Sequence, residues 1–173
     1  PDLTIIPIRG NVQTRLARAV GGDLDAVVLA QAGLVRSGLA DTHAGSLFPF
    51  APEDMLPASG QGILAIETRV DDIDTGRVLE RINDPKTFSA LLAERSVVSA
   101  VDADCHSCLA VYAARESGQW RVRAMAADVL GQTVVRADIS DMDSSRAGII
   151  VAEALLCQGA KQLLSGEGSL GEN

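Results

Sequence analysis

At 173 residues, 47% hydrophobic and with a net charge of −8, the chain is long enough to bury a core and falls in the size range of one or two domains. The acidic balance argues against a nucleic-acid backbone as partner. No apolar run approaches the roughly 18 residues of a membrane helix, and the start lacks the basic and then apolar layout of a secretion signal, so a soluble protein in a cytoplasmic setting is expected. Three cysteines, two of them three apart, make no disulfide framework and suit a reducing compartment.

The first residue is Pro1, and the chain reads straight into an apolar run, as expected of a segment cut from a longer protein. Leu3 to Ile8 is rich in β-branched residues and predicts a buried strand ending at Pro7. Arg9-Gly10-Asn11 turns the chain into a helix whose apolar residues fall at 12, 16, 19 and 20, and Gly21-Gly22 stops it. Asp25 to Ala30 is a continuous apolar run of the kind found in parallel sheets, and a short helix through Leu34 to Gly38 follows.

Residues 41 to 57 hold Phe48-Pro49-Phe50-Ala51-Pro52 and Pro57 and read as a connection. Leu56-Pro57-Ala58-Ser59-Gly60-Gln61-Gly62 leads into a third strand candidate, Ile63 to Glu67. Its glycines allow a close approach to a ligand, or simply form a turn.

A short helix is expected between Asp71 and Asn83. A longer one starts at Asp84-Pro85, with Asp84 as cap and Pro85 in the first turn, and runs toward Val101. Three strand candidates come next: Leu109 to Ala114, Trp120 to Ala127 and Thr133 to Ile139. Ser144 or Ser145 is placed to cap a final helix reaching Leu163, and the polar tail from Ser165 to Asn173 is expected to fray. The layout is thus a parallel α/β unit followed by an α+β unit.

Two features suggest chemistry. Residues 1 to 40 hold four arginines (Arg9, Arg15, Arg18, Arg36) against three acids, so the start is mildly basic in an acidic chain. Arginine grips carboxylate or phosphate in a bidentate fork, and turns after strands offer backbone N–H groups, so a crevice for small anions is expected near Arg9, Arg15 and Arg36. Ordinary solvated charges are the alternative.

The second feature is Asp104-Cys105-His106-Ser107-Cys108, between a helix and a strand. A cysteine in such a loop is exposed, and an ionised thiol is a strong nucleophile. Burial as a small hydrophobe is the alternative. A zinc site would need four ligands, whereas His43 and Cys157 are remote in sequence. Redox CxxC motifs open helices, the reverse of the order here.

Taken together, Arg9-Gly10-Asn11-Val12-Gln13-Thr14-Arg15-Leu16, Ala32-Gly33-Leu34 with Arg36, the Leu56 to Gly62 motif, Ala93-Glu94-Arg95 and the cysteine loop resemble the porphobilinogen deaminase (hydroxymethylbilane synthase) family. The resemblance covers essentially the whole chain. It implies a transferase of tetrapyrrole (heme) biosynthesis that joins four porphobilinogen units, with loss of ammonia, into hydroxymethylbilane.

Growth would occur on a dipyrromethane cofactor tethered through a thioether to Cys105, where a thiolate captures an electrophilic methylene-pyrrole. Arg9, Arg15 and Ala30 are implied as cofactor-binding, and Arg36, Gly33 and Gln61 as substrate-binding. No metal is implied. Partners would be porphobilinogen and linear oligopyrroles, with no nucleic acid or membrane and a monomeric full-length protein.

The implied architecture is the second half of one periplasmic-binding-protein-like α/β domain (1–52), a return segment of another (57–84), an α+β domain carrying the cysteine (85–165) and a tail (166–173). No residue of the chain matches the family's catalytic aspartate, and proximity to Cys105 does not qualify Asp102 or Asp104 for that role. The isolated chain is accordingly expected to be inactive, a binding fragment by itself. The loop also departs from the family pattern, with Ala103-Asp104 in place of glycines and Cys108 in place of a proline, which raises the prospect of Cys105 oxidising with Cys108.

Overall fold

A computed structural model describes residues 2–165. The expected tail, 166–173, lies outside the described residues. The chain divides after Phe50 into two compact units.

The first unit is a set of short helices. Helix α1, Val12–Val20, starts where the Asn11 carboxamide oxygen accepts from Thr14 N (2.8 Å) and Thr14 Oγ1 (2.9 Å), and it ends at Gly21. Helices α2, Gln31–Arg36, and α3, Leu39–Thr42, follow, then a 3₁₀ turn over Ala44–Ser46. Leu34 is buried.

The second unit begins with turns and helix α4, Ile73–Glu80, capped by Asp72 accepting from Thr75 N at 3.1 Å. Helix α5, Pro85–Ala100, starts as its sequence predicts, with Asp84 accepting from Lys86 N (2.8 Å) and Thr87 N (3.2 Å) and Pro85 in the first turn. Strands β1, Leu109–Glu116, β2, Gln119–Ala127, and β3, Val134–Asp141, form an antiparallel sheet in the order β1-β2-β3. Helices α6, Ser144–Cys157, and α7, Ala160–Ser165, complete the unit.

The strands' period-two pattern sorts their side chains onto two faces. Val111, Ala113, Val122, Ala124 and Ala126 face a core built with Ala93 and Val97 of α5, Val101 just after it, and Val151 and Leu155 of α6. The two helices pack very closely, because a β-carbon on Gly148 would lie 2.4 Å from Ser96 Oγ and 2.6 Å from the Ala93 carbonyl oxygen. Glycine is what permits that approach.

The opposite face of the sheet is charged. Arg123 is buried, stacks over the Tyr112 ring at 5.4 Å, and is paired with Glu53 and, at 2.7 Å, with Glu116. Arg121 bridges Asp138 at 2.6 Å and Glu116 at 3.0 Å. The connection carrying Glu53 is thereby fastened to the sheet.

Three expectations need correction. Leu3 to Ile8, Asp25 to Ala30 and Ile63 to Glu67 are not strands: among the described residues no segment pairs with them, and Leu3, Ile5, Val28, Leu64 and Ile66 are exposed. Apolar β-branched sequence favours burial in a sheet, but a strand exists only as a member of a ladder. The described residues up to Asn83 thus hold no sheet of the expected parallel α/β kind.

Second, the cap of α6 is Asp143, whose carboxylate accepts from Arg146 N at 2.8 Å, so Ser144 is the first helical residue. Third, the last helix is two helices, broken at Gln158-Gly159, where Gly159 turns left-handed (φ +84°).

Candidate functional site

Cys105 sits in the loop that joins α5 to β1, and the loop is built by its own polar residues. Helix α5 stops at Val101, and Asp102 takes a left-handed conformation (φ 58°) that redirects the chain. Asp104 Oδ1 then accepts from His106 N (2.9 Å) and from Ser107 Oγ (2.9 Å), while Ser107 Oγ accepts from Asp104 N (3.0 Å). A backbone bond from Ser107 N to the Asp104 carbonyl (3.3 Å) closes the turn.

This Asx-type turn holds Cys105 at its tip, exposed and as a free thiol. The bonds from the His106 amide and the Ser107 hydroxyl hold the Asp104 carboxyl below its usual range. The loop ends where Ala127 N donates to the Cys108 carbonyl at 3.0 Å, just before β1. Cys108 and Cys157 are likewise exposed and free.

Beside the loop lies a cleft of about 310 Å³ lined by Asp102, Asp104, His106, Ser107 and Lys161, among others. Lys161 Nζ is 3.6 Å from Asp102 Oδ2. Among the described residues, no three or more His, Cys, Asp or Glu side chains are grouped to hold a metal ion.

The predicted anion-binding residues Arg9, Arg15, Ala30, Gly33 and Arg36 all belong to the first unit. Arg15 Nε donates to the Gly10 carbonyl at 2.7 Å, which orients the guanidinium while committing only one of its donors. Arg9 and Arg36 are exposed, Arg36 in the last turn of α2.

Ala30 precedes α2, and its carbonyl accepts from Gly33 N (3.0 Å) and Leu34 N (3.4 Å). The Gly33 amide is thus spent within the helix. A β-carbon on Gly33 would lie 3.3 Å from Val12 Cγ2, so the start of α1 and the first turn of α2 touch at this point.

Gln61 is exposed in the second unit, in a turn where its amide donates to Ala58 O at 3.1 Å. Sequence reasoning missed what fixes that turn. Glu94, 4% exposed on the core side of α5, accepts from Gly60 N (2.6 Å) and from Ala113 N (2.9 Å). Burial raises the Glu94 carboxyl above its usual value, against the lowering effect of these hydrogen bonds. A signal was present: an acid at position 94 interrupts the apolar stripe Ala90, Ala93, Val97, Val101.

Residues 1–77 match the family model described as "Porphobilinogen deaminase, dipyromethane cofactor binding domain". The chain is similar in sequence to porphobilinogen deaminases. It is 38% identical over 167 residues to the porphobilinogen deaminase of Xylella fastidiosa, an alignment covering 95% of this chain and 54% of the relative.

The enzyme of that name from Geobacillus kaustophilus is 39% identical over 164 residues, and that from Exiguobacterium sp. is 37% identical over 165. The chain spans about half the length of these curated relatives. Arg9, Arg15, Ala30, Gly33, Arg36 and Gln61 lie inside the matched residues 1–77, whereas Cys105 lies beyond them in the second unit.

Proposed function

We propose that this chain is the cofactor-bearing and anion-binding part of a porphobilinogen deaminase, a cytoplasmic enzyme, monomeric at full length, that joins four porphobilinogen units into hydroxymethylbilane and releases ammonia. The observation that carries the proposal is the exposed, free Cys105 thiol at the tip of a turn held by Asp104 and Ser107, in a relative of that family.

A covalent tether needs an accessible thiol on a backbone that does not wander, and both conditions fit a thioether-linked dipyrromethane. When bound, the dipyrromethane supplies the pyrrole end from which the chain lengthens. Cys105 would hold it through a carbon–sulfur linkage, and the hydrogen bonds of Asp104 would keep the loop that bears it ordered.

Arg9, Arg15 and Arg36 receive acetate and propionate groups, since a guanidinium fork matches a carboxylate edge. In Arg15 the bond from Nε to Gly10 O leaves both terminal nitrogens for this purpose. Gln61 offers a neutral amide for the substrate, held by a turn anchored on Glu94. Gly33 contributes shape, its amide being engaged with Ala30. The finer architecture implied by the resemblance, two periplasmic-binding-protein-like domains and a third domain with the cysteine, belongs to this proposal.

Intact-mass spectrometry of the complete protein tests it. A dipyrromethane adduct is expected and should vanish in Cys105→Ser, whereas an unmodified protein that still consumes porphobilinogen refutes the assignment. The 173-residue chain alone is expected to release no ammonia from porphobilinogen, and turnover by it overturns the division of labour.

A further inference from the structure

Cys108 has no part in the function proposed above, yet it is a second exposed, free thiol in the same short loop as Cys105. We propose that Cys105 and Cys108 form a reversible intraloop disulfide that competes with thioether formation at Cys105; the competition, though not the disulfide, rests on the cofactor-anchor reading.

The geometry favours closure. A disulfide requires α-carbons about 4.4–6.8 Å apart. Three residues of chain reach at most about 10–11 Å even when extended, and the 104–107 turn, closed by Ser107 N on the Asp104 carbonyl, keeps Cys105 and Cys108 in one short loop, so closure asks only for a local adjustment. The bonds that shape the loop run between Asp104, His106 N and Ser107, and the Cys108 backbone is held through its carbonyl. Sheet pairing begins at Leu109 and Ala127 N already holds the Cys108 carbonyl, so the adjustment that closes the bridge falls on residues 105 to 107. Cys157, the remaining thiol, is the last residue of α6.

The chemistry balances with a low-molecular-weight disulfide as oxidant. The Cys105 thiolate attacks one sulfur of the oxidant, forming a mixed disulfide and expelling one thiolate. The Cys108 thiolate then attacks the Cys105 sulfur and expels the second. Two protein thiols lose two protons and two electrons, and the oxidant becomes two thiols. In the bridged form Cys105 has no thiolate with which to meet a pyrrole electrophile. A sulfur already carrying a thioether cannot enter the bridge.

The test uses the purified chain equilibrated with oxidised glutathione, then alkylated, digested and analysed by peptide mass spectrometry. Alkylatable thiols should fall from three to one, the survivor being Cys157, with a peptide linked between Cys105 and Cys108. Cys108→Ser should instead accumulate a glutathione adduct on Cys105. Separate glutathione adducts on both residues of the unsubstituted chain, continued alkylation of both, or pairing with Cys157 would each overturn the proposal.

The complete, adduct-bearing protein given the same treatment should keep Cys108 alkylatable, and an adduct coexisting with the bridge defeats the competition. Absence of any pyrrole adduct on Cys105 counts against the cofactor reading alone, because the linked peptide reports the disulfide without it.

Discussion

Glu94 and Gly60 are 34 residues apart in sequence and joined by a 2.6 Å hydrogen bond from the Gly60 amide to the Glu94 carboxylate. The other carboxylate oxygen takes the Ala113 amide on β1, so one buried side chain fastens a loop to a sheet edge. Gly60 is left-handed (φ +72°), a conformation that suits glycine and turns its amide inward.

Replacing Glu94 by Gln should destabilise the chain by about 1–3 kcal/mol, because a carboxamide has one acceptor oxygen for two buried N–H donors. The effect should depend on pH. The folded-state pKa of Glu94 is raised, so its contribution is fully present below the usual value of 4.5 and is lost as pH rises through the raised value. The melting-temperature gap between the parent and Glu94→Gln should therefore be largest at the acid end and shrink above it. A gap that widens with pH contradicts the assignment.

Gly148→Ala should lower stability by about 1–3 kcal/mol, since the added carbon meets the Ala93 carbonyl of α5 as well as the Ser96 hydroxyl. Combining it with Ser96→Ala should recover little, because the backbone oxygen at 2.6 Å remains. Denaturant unfolding of the single and double variants measures both.

Arg123→Ala should cost about 1–3 kcal/mol, because it removes a buried guanidinium whose stem and head pack on the sheet and over Tyr112 and which joins Glu53 and Glu116. Glu53→Gln should cost far less, because the Glu53 side chain is 55% exposed. Equal losses in urea unfolding would show that the pair is worth the same from either side, against this reasoning.

Asp104→Ala should leave the fold intact and loosen the cysteine turn, seen as faster hydrogen exchange at the His106 amide. The Asp104 pKa is lowered in the folded state, so its contribution is present above its usual 3.8 and is lost as pH falls through the lowered value. Ordering of this turn should hold across neutral pH and fade only in strong acid. In the complete protein, the same substitution should reduce the fraction carrying an adduct.

Much of the second unit was legible because its signals are local. Asp84-Pro85 announced α5, and alternation in Trp120-Arg121-Val122-Arg123 announced β2. Exposure of Cys105 followed from its place between a helix and a strand. The apolar runs near Ile5, Val28 and Leu64 misled, since composition records a wish for burial and says nothing of which segment supplies the ladder.

The break at Gly159 was hidden by apolar spacing that continues on both sides of it. Glu94 was visible as a charge at a core-like position and Arg123 as one on the polar face of β2, but their partners, Gly60 and Glu53, are distant in sequence and only the fold could name them. The arginine set was legible as residues, and its engagement, with Arg15 held by Gly10 and Gly33 spent on Ala30, was not.

The two margins of the three-stranded sheet are unequally guarded. Along β1, the Pro57 carbonyl takes the Val111 amide at 3.0 Å and Glu94 takes that of Ala113, so a foreign strand finds those docking points filled. Along β3 the guard is lighter, with Gln158 Nε2 donating to the Arg136 carbonyl at 3.0 Å. Were copies of this domain ever to zip together edge to edge, β3 is where the seam would start, and an added proline or lysine there is the natural safeguard against clumping.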